Sequence, residues 1–340
     1  LNNIVIDSLN PNYIVEDNIV YSINKDTLVS HHSASDRVEV SPMVKVIAEE
    51  AFTISNITGV VLPEGVEEIQ DAAFRYTPYL YTVILPQTLR KIGTCAFQRC
   101  ESLRTIEIPN SVIEMGDSVF FDCWGLLSVK MSDSIKVIPV GTFSYCPFLS
   151  SYTGGASVER IEDMAFLDCM ALQKEIVFPE TLRYIGYGAF YGCGLTRVEF
   201  TGVVDTIDRG NFDYLTTLVL QNSTPPFTYN SKVANSIFKV SIPCGTKENY
   251  LADPNWSSFS YRERCDGVEE NPMAAVKVTA GYRSIEVLNA EGYSVAIYDI
   301  MGRCHASEPA NGLTHRHYSV PAAGVYVVRV NDRGYKVVVR

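Results

Sequence analysis

From Val44 onward the chain repeats one order of apolar positions. Phenylalanine stands at Phe52, Phe74, Phe97, Phe120, Phe143, Phe166, Phe190 and Phe212, at spacings of 22, 23, 23, 23, 23, 24 and 22 residues. Five residues before each Phe the site is apolar again: Ile47, Ile69, Ile92, Met115, Ile138, Ile161, Ile185 and Ile207. Eight before lie Val44, Val66, Leu89, Val112, Ile135, Val158, Leu182 and Val204. Three after the Phe come Cys100, Cys123, Cys146, Cys169 and Cys193, then Leu80, Leu103, Leu126, Leu149 and Leu172, then Val83, Ile106, Val129 and Tyr152. Pro42, Pro63, Pro86, Pro109 and Pro179 close several units. The end of each unit, as in Leu103 to Ile108, alternates inward and outward like a strand. Proline then stops it, because it has no N–H to extend a ladder. Such a unit cannot bury its own apolar residues, whereas stacked copies share one continuous core. The pattern predicts a mainly β solenoid with short helical turns, in about eight coils of 23 residues. At a rise of ~4.8 Å per coil the spine is roughly 35–40 Å long.

The ends of such a stack need covering. Tyr13 to Val15 and Ile19 to Tyr21, around Glu16-Asp17-Asn18, read as a β-hairpin. We place an N-terminal cap at residues 1–37, the solenoid at 38–222 and a C-terminal cap at 223–265. Ser223-Thr224-Pro225-Pro226 breaks the repeat, and the segment Val240 to Tyr250 follows, ahead of Trp256 and Phe259. Trp256 is expected to plug the end, given the apolar area an indole covers. Residues 266–274 are acidic and aperiodic and read as a linker. In 275–340, alternating runs at Val276 to Val278, Ile285 to Val287, Val295 to Tyr298, Tyr326 to Val330 and Tyr335 to Val339 predict a small β-sandwich.

The repeat resembles the BspA-type leucine-rich repeats of bacterial and protozoan surface proteins. The resemblance covers roughly residues 38–222 and implies a leucine-rich-repeat solenoid, with adhesion as its expected role. It also implies the closing strand, short helix and tryptophan plug after the last coil. Gly154-Gly155 stands where Ile-Pro is expected, one residue is gained near Ile176, and one is lost near Leu195. These three sites are where the stack is expected to bend or open. In the C-terminal module, Tyr298 to Arg303, Ala323 to Tyr326 and Lys336 to Arg340 resemble the sorting domains of type IX secretion cargo. That resemblance implies export to the outer-membrane exterior; an ordinary sandwich spacer is the competing reading.

Composition narrows the function classes. The chain has 340 residues, 46% hydrophobic and 20% charged, which is globular. Its formal charge of −11 disfavours nucleic acid. No apolar run is long enough for a membrane span. The start at Leu1, without Met or a basic-apolar leader, reads as a chain whose leader has been removed. Of nine cysteines, the five at the repeated position are expected to be buried, reduced and effectively apolar. Cys244 and Cys265 flank the cap and are the expected disulfide, leaving Cys95 and Cys304 without an evident partner. No Gly-x-Ser-x-Gly, phosphate loop or His-Glu-x-x-His occurs, so no catalytic residues are assigned. His31 and His32 are adjacent and point oppositely in a strand. His315 and His317 share a strand face, but two ligands make a weak metal site, so no metal or cofactor is expected.

Binding chemistry is more visible. Aromatics follow the repeated Phe at Tyr76, Phe121, Tyr145, Tyr191 and Tyr214, and follow the Cys position at Tyr79, Trp124 and Phe148. Stacking is expected to align them along one edge, as ligand-binding candidates; packing on neighbouring coils is the alternative. The outward strand residues, such as Thr105, Glu107 and Lys130, form a polar stripe of mixed charge. The expected function is a non-enzymatic, secreted or surface-displayed protein that binds host or neighbouring-cell proteins. Glycan binding through the aromatic edge is the alternative, and a hydrolase with an unrecognised site is the least favoured.

Overall fold

The computed structural model describes residues 4–32, 36–229, 239–265, 277–281, 283–288, 294–309, 313, 315–330 and 333–339. The expected linker at 266–274 and the strand start at Val276 lie outside the described residues. The chain divides into two compact units, Leu1–Glu263 and Arg264–Arg340.

The first unit is a β-solenoid, and each coil contributes two strands where the sequence reading expected one. The longer strands, from Arg37–Glu39 through Thr105–Glu107 to Lys239–Pro243, form a parallel wall in three sheets. The second wall is made of two-residue strands centred on the repeated Ile: Val46–Ile47, Glu68–Ile69, Lys91–Ile92 and their successors, paired Ile47 to Ile69 to Ile92. Two residues are too few to show an alternating pattern, so the sequence reveals them only as isolated apolar sites.

The Ala-Phe segments are turns rather than helices. Residues two before and two after the Phe adopt left-handed backbone, as at Ala72 (φ 55°) and Tyr76 (φ 53°), or Cys95 (φ 55°) and Arg99 (φ 58°). A helix cannot propagate through them. Their N–H groups instead bond the next coil, as in Ala72 N to Thr94 O (2.8 Å), Phe74 N to Ala96 O (2.7 Å) and Tyr76 N to Gln98 O (2.9 Å). Because left-handed residues recur in coil after coil, the strain belongs to the fold and marks no site.

This ladder aligns the Phe rings. Phe52, Phe74, Phe97, Phe120, Phe143, Phe166, Phe190 and Phe212 are all at most 2% exposed. Successive rings stack at 4.7, 5.0, 5.5, 5.5, 5.1, 5.1 and 6.0 Å between centroids, in planes 1° to 26° apart. The five repeated cysteines are buried and free, as expected. They are also donors, which their apolar reading omitted. Each thiol points at the carbonyl of the preceding coil's Phe, for example Cys100 Sγ to Phe74 O (3.2 Å) and Cys123 Sγ to Phe97 O (3.1 Å). In the earlier coil the Thr77 hydroxyl makes the same bond to Phe52 O (2.9 Å). Burial pushes the Cys100, Cys146 and Cys169 thiols well above their usual range and Cys123 to about 12, so they stay protonated donors.

Both ends are closed. The hairpin is present as Tyr13–Glu16 and Ile19–Ser22, turned by Asp17 (φ 49°) and Asn18 (φ 60°). A third strand, Thr27–His31, runs antiparallel to Ile19–Ser22 and parallel to Val46–Ile47, converting the hairpin into the stack. The His31 ring extends the Phe column, stacked on Phe52 at 5.2 Å. At the other end, Asn222 gives Val204 both an acceptor (3.2 Å) and a donor (2.7 Å), in place of another coil's backbone. Lys239–Pro243 adds the last parallel strand and is followed by a short helix, Lys247–Leu251. Tyr250 and Trp256, both 0% exposed, cover the end; Trp256 Nε1 donates to Pro226 O at 3.0 Å. Cys244 and Cys265 are disulfide-bonded, and the other seven cysteines are free.

The long-strand wall is interrupted at Gly154-Gly155, where the repeat departs from its pattern, and also after Thr82–Ile84, where it does not; the short-strand wall stays paired beside Gly154-Gly155 through Arg160 to Tyr184. One sheet ends at Ser151–Gly154, and the next strand, Glu175–Phe178, begins a new one. The residue lost near Leu195 does not open it: Arg197–Phe200 stays paired with Glu175–Phe178, because Leu195 remains buried and the shortfall is taken up in the turn.

The second unit holds two antiparallel sheets around Ile285, Val287, Ile297, Val328 and Val330. Cys304–Glu308 is a strand outside the alternating runs, since polar residues dominate it, and His315–Ser319 is the strand that carries the two histidines. The Tyr298 to Arg303 motif is a turn organised by Asp299. The His305 ring (3.0 Å), with Arg303 and the Met301 N–H, holds the Asp299 carboxyl well below the usual carboxylate range. His315 and His317 share an exposed face, and no group of three or more metal-ligating side chains occurs among the described residues.

Two predictions follow from the core. Cys123→Ala removes the thiol donor from Phe97 O, which keeps the Cys100 N–H at 3.2 Å, and should cost about 0.5–1.5 kcal/mol in chemical denaturation. Cys123→Thr should cost less, since Thr77 already fills the equivalent place. Both tryptophans lie in the first unit, so their fluorescence reports its unfolding. For His31, burial, aided by the neighbouring His32, lowers the pKa from 6.5 to about 4. The folded state keeps the ring neutral while the unfolded chain takes up a proton below 6.5, so stability falls as pH drops from 6.5 towards 4. The midpoint temperature should fall over that window, and His31→Phe should flatten the decline.

Candidate functional site

The residues two after each Phe form a column along one edge of the stack: Ile54, Tyr76, Arg99, Asp122, Tyr145, Asp168, Gly192 and Tyr214. Their backbone bonds to the next coil fix how far each side chain projects. Arg99 Nε pairs with Asp122 at 2.8 Å, and Tyr76 lies under the guanidinium groups of Arg75 and Arg99 at 4.9 and 5.2 Å. Asp122 also accepts a hydrogen bond from the Trp124 indole. A chain of contacts thus runs from Tyr76 through Arg99 and Asp122 to Trp124 and holds that indole in place.

Beyond Trp124 the edge becomes a groove of about 620 Å³, lined by Trp124, Tyr145, Pro147, Phe148, Asp168, Met170 and Ala171. Its walls are large and exposed: Trp124 57%, Phe148 57%, Tyr145 42% and Met170 64%. Phe121 packs edge-on against Tyr145 at 5.5 Å and supports that wall from behind. The Asp168 carboxylate lies at the rim and makes no ion pair or hydrogen bond among the described residues. It rests against Gly192, where a Cβ would fall 2.0 Å from its Oδ1. Only glycine leaves that carboxylate room beside the groove.

Of the eight aromatic candidates, the structure gathers Trp124, Tyr145 and Phe148 into one groove, with Phe121 behind them. Tyr76 is half-buried between arginines. Tyr79, Tyr191 and Tyr214 are exposed but lie outside the groove lining. Aromatic residues alone missed Asp168 and Met170. Both were within reach of the repeat: Met170 follows Cys169 as Trp124 follows Cys123, and Asp168 continues the column of Tyr145.

The other surfaces offer less. The outward strand residues are mostly polar, apart from Val61, Ile84 and Val177, and Lys130 pairs with Glu107 one coil away at 2.5 Å. Such an exposed pair adds little stability. No helix among the described residues is long and apolar enough to cross a membrane.

Comparison with known proteins bears on the repeat unit. A leucine rich cell surface protein from Faecalibacterium prausnitzii has the same fold, with a TM-score of 0.51 and 20% identity, over 77% of this chain and 97% of that one. A leucine-rich repeat protein from Bacteroides ovatus aligns with a TM-score of 0.46 and 22% identity, over 71% of each chain. No curated protein matches the chain. The BspA type leucine rich repeat region matches residues 45–173 and 142–247 in six copies, which spans the coils, the Phe column and the groove; the chain belongs to the BspA-type leucine-rich-repeat family.

Proposed function

We propose that the chain is a non-enzymatic binding protein, secreted or displayed on a cell surface, whose repeat unit adheres to proteins of a host or neighbouring cell. The observation that carries this reading is the groove of Trp124, Tyr145 and Phe148. Water-exposed aromatics held rigidly by the scaffold supply contact area at low entropic cost, as at the hot spots of protein interfaces. Family membership supports the reading, because stacked repeats serve widely as protein-binding surfaces. A partner segment with a bulky apolar side chain fills the groove, and a basic neighbour meets Asp168. The glycan alternative is weaker here, because sugar recognition needs several polar groups around an aromatic plate and the groove offers one carboxylate.

For export we propose the type IX route, on the strength of the Asp299 turn motif and the terminal strand Arg333–Val339. Removing residues 275–340 should then abolish surface display in a bacterium with that pathway; undiminished display would reduce the module to a spacer.

The binding reading is tested with the purified chain and intact cells of candidate hosts and neighbours. Trp124→Ala and Phe148→Ala together should weaken attachment at least tenfold, while Ile84→Ala on the strand wall leaves it unchanged. Protease treatment of the cells should remove attachment. Survival of attachment after protease but not after glycosidase would favour glycans instead.

A further inference from the structure

A second opening lies inside the stack, away from the aromatic groove. The residue that ends a long strand or directly follows it sends a large side chain into the core in most coils: Leu62, Leu85, Ile108, Met131, Phe178 and Phe200 are all at most 7% exposed. In one coil that place is held by Gly154, in register with Met131. Its φ of 84° and its approach to Met131 O, which a Cβ would meet at 2.2 Å, exclude a side chain there. The wall is unpaired on its far side, between Ser151–Gly154 and Glu175–Phe178. A cavity of about 310 Å³ results, bounded by Val158, Ile161, Phe166, Ile176 and Phe178, with Val177 exposed at its mouth.

Of the polar side chains that line this largely apolar space, Thr153 and Gln173 are exposed, whereas Tyr152 is drawn into the coil. Tyr152 stands where other coils place Val83, Ile106 or Val129. Its ring is wedged edge-on against Phe143 and Phe166 at 6.1 and 5.2 Å. Its hydroxyl makes no hydrogen bond among the described residues, and burial raises its pKa, so it stays a neutral donor and acceptor. An apolar cavity of a few hundred Å³ with one fixed polar group is how small-molecule sites are commonly built.

We propose that this cavity binds a small, uncharged, ring-bearing molecule of one or two rings, whose single hydroxyl or carbonyl bonds the Tyr152 hydroxyl. The ring takes the place that Leu, Ile or Met fills in neighbouring coils, and the ligand bridges the interruption in the wall. The site is independent of the aromatic groove.

The test titrates the purified chain with 2-naphthol and with naphthalene, followed by fluorescence and calorimetry. Wild-type protein should bind 2-naphthol at one site with micromolar to low-millimolar affinity. Tyr152→Phe should weaken 2-naphthol fivefold to tenfold, the worth of one buried hydrogen bond, and naphthalene less than twofold. Val158→Phe, which fills the cavity, should abolish binding of both, and Trp124→Ala should leave both unchanged. Val177→Trp, at the exposed mouth, repeats the blocking test should Val158→Phe fail to fold. The proposal is overturned if wild-type protein does not bind 2-naphthol. It is equally overturned if a folded blocking variant binds as wild type does, if Tyr152→Phe affects both probes alike, or if Trp124→Ala removes the binding.

Discussion

The solenoid depends on the Phe side chains lying over one another, one per coil, with their backbone bonded to the next turn on either side. Phe97, for example, stacks between Phe74 and Phe120 while its N–H donates to Val119 O and its carbonyl accepts the Cys123 thiol. Burial of the ring favours stacking, and the hydrogen bonds set the pitch and the angle. Neither suffices alone. Apolar area is indifferent to register, and unshielded backbone bonds exchange with water at little net gain. Together they force every coil to copy its neighbour, and the two strand walls inherit that register.

The sequence made this column legible because its period is long and its markers are rare side chains. Phe and Cys stand out against a background of common residues, and eight Phe in step allow one alignment. The two-residue strands were not legible as strands, since a pair such as Lys91 and Ile92 carries no alternation. The left-handed turns were hidden for a different reason. Ala72, Cys95, Ser118 and Met164 share positive φ but no chemistry, because the stack imposes the conformation on whichever residue occupies the place. In the second unit, Cys304–Glu308 and His315–Ser319 show mostly polar side chains, so pairing partners rather than composition make them strands.

The candidate site was legible in part. Trp124, Tyr145 and Phe148 are conspicuous as residues, but their convergence depends on offsets of one residue between successive turns, which only the folded backbone fixes. Asp168 is inconspicuous as one carboxylate among many. It gains meaning from its neighbours: the equivalent Asp122 is neutralised by Arg99 one coil before it, whereas Asp168 follows Tyr145. A column read down the stack therefore carries information that a row read along the chain conceals.

The thiol ladder has a consequence for how such a chain matures. Five thiols, each at most 2% exposed, share the interior of the stack, while Cys244 and Cys265 are oxidised. An oxidant acts on thiolates it can reach, so in the finished protein the ladder is inert. During folding the same groups are exposed and close in sequence, and mispairing is open to them. What protects them is the order of events. Adjacent coils contact each other over short stretches of chain, and local contacts form fast. Closure of the coils thus outpaces the slower chemistry of disulfide formation, and kinetics rather than bond strength decides which cysteines end up joined.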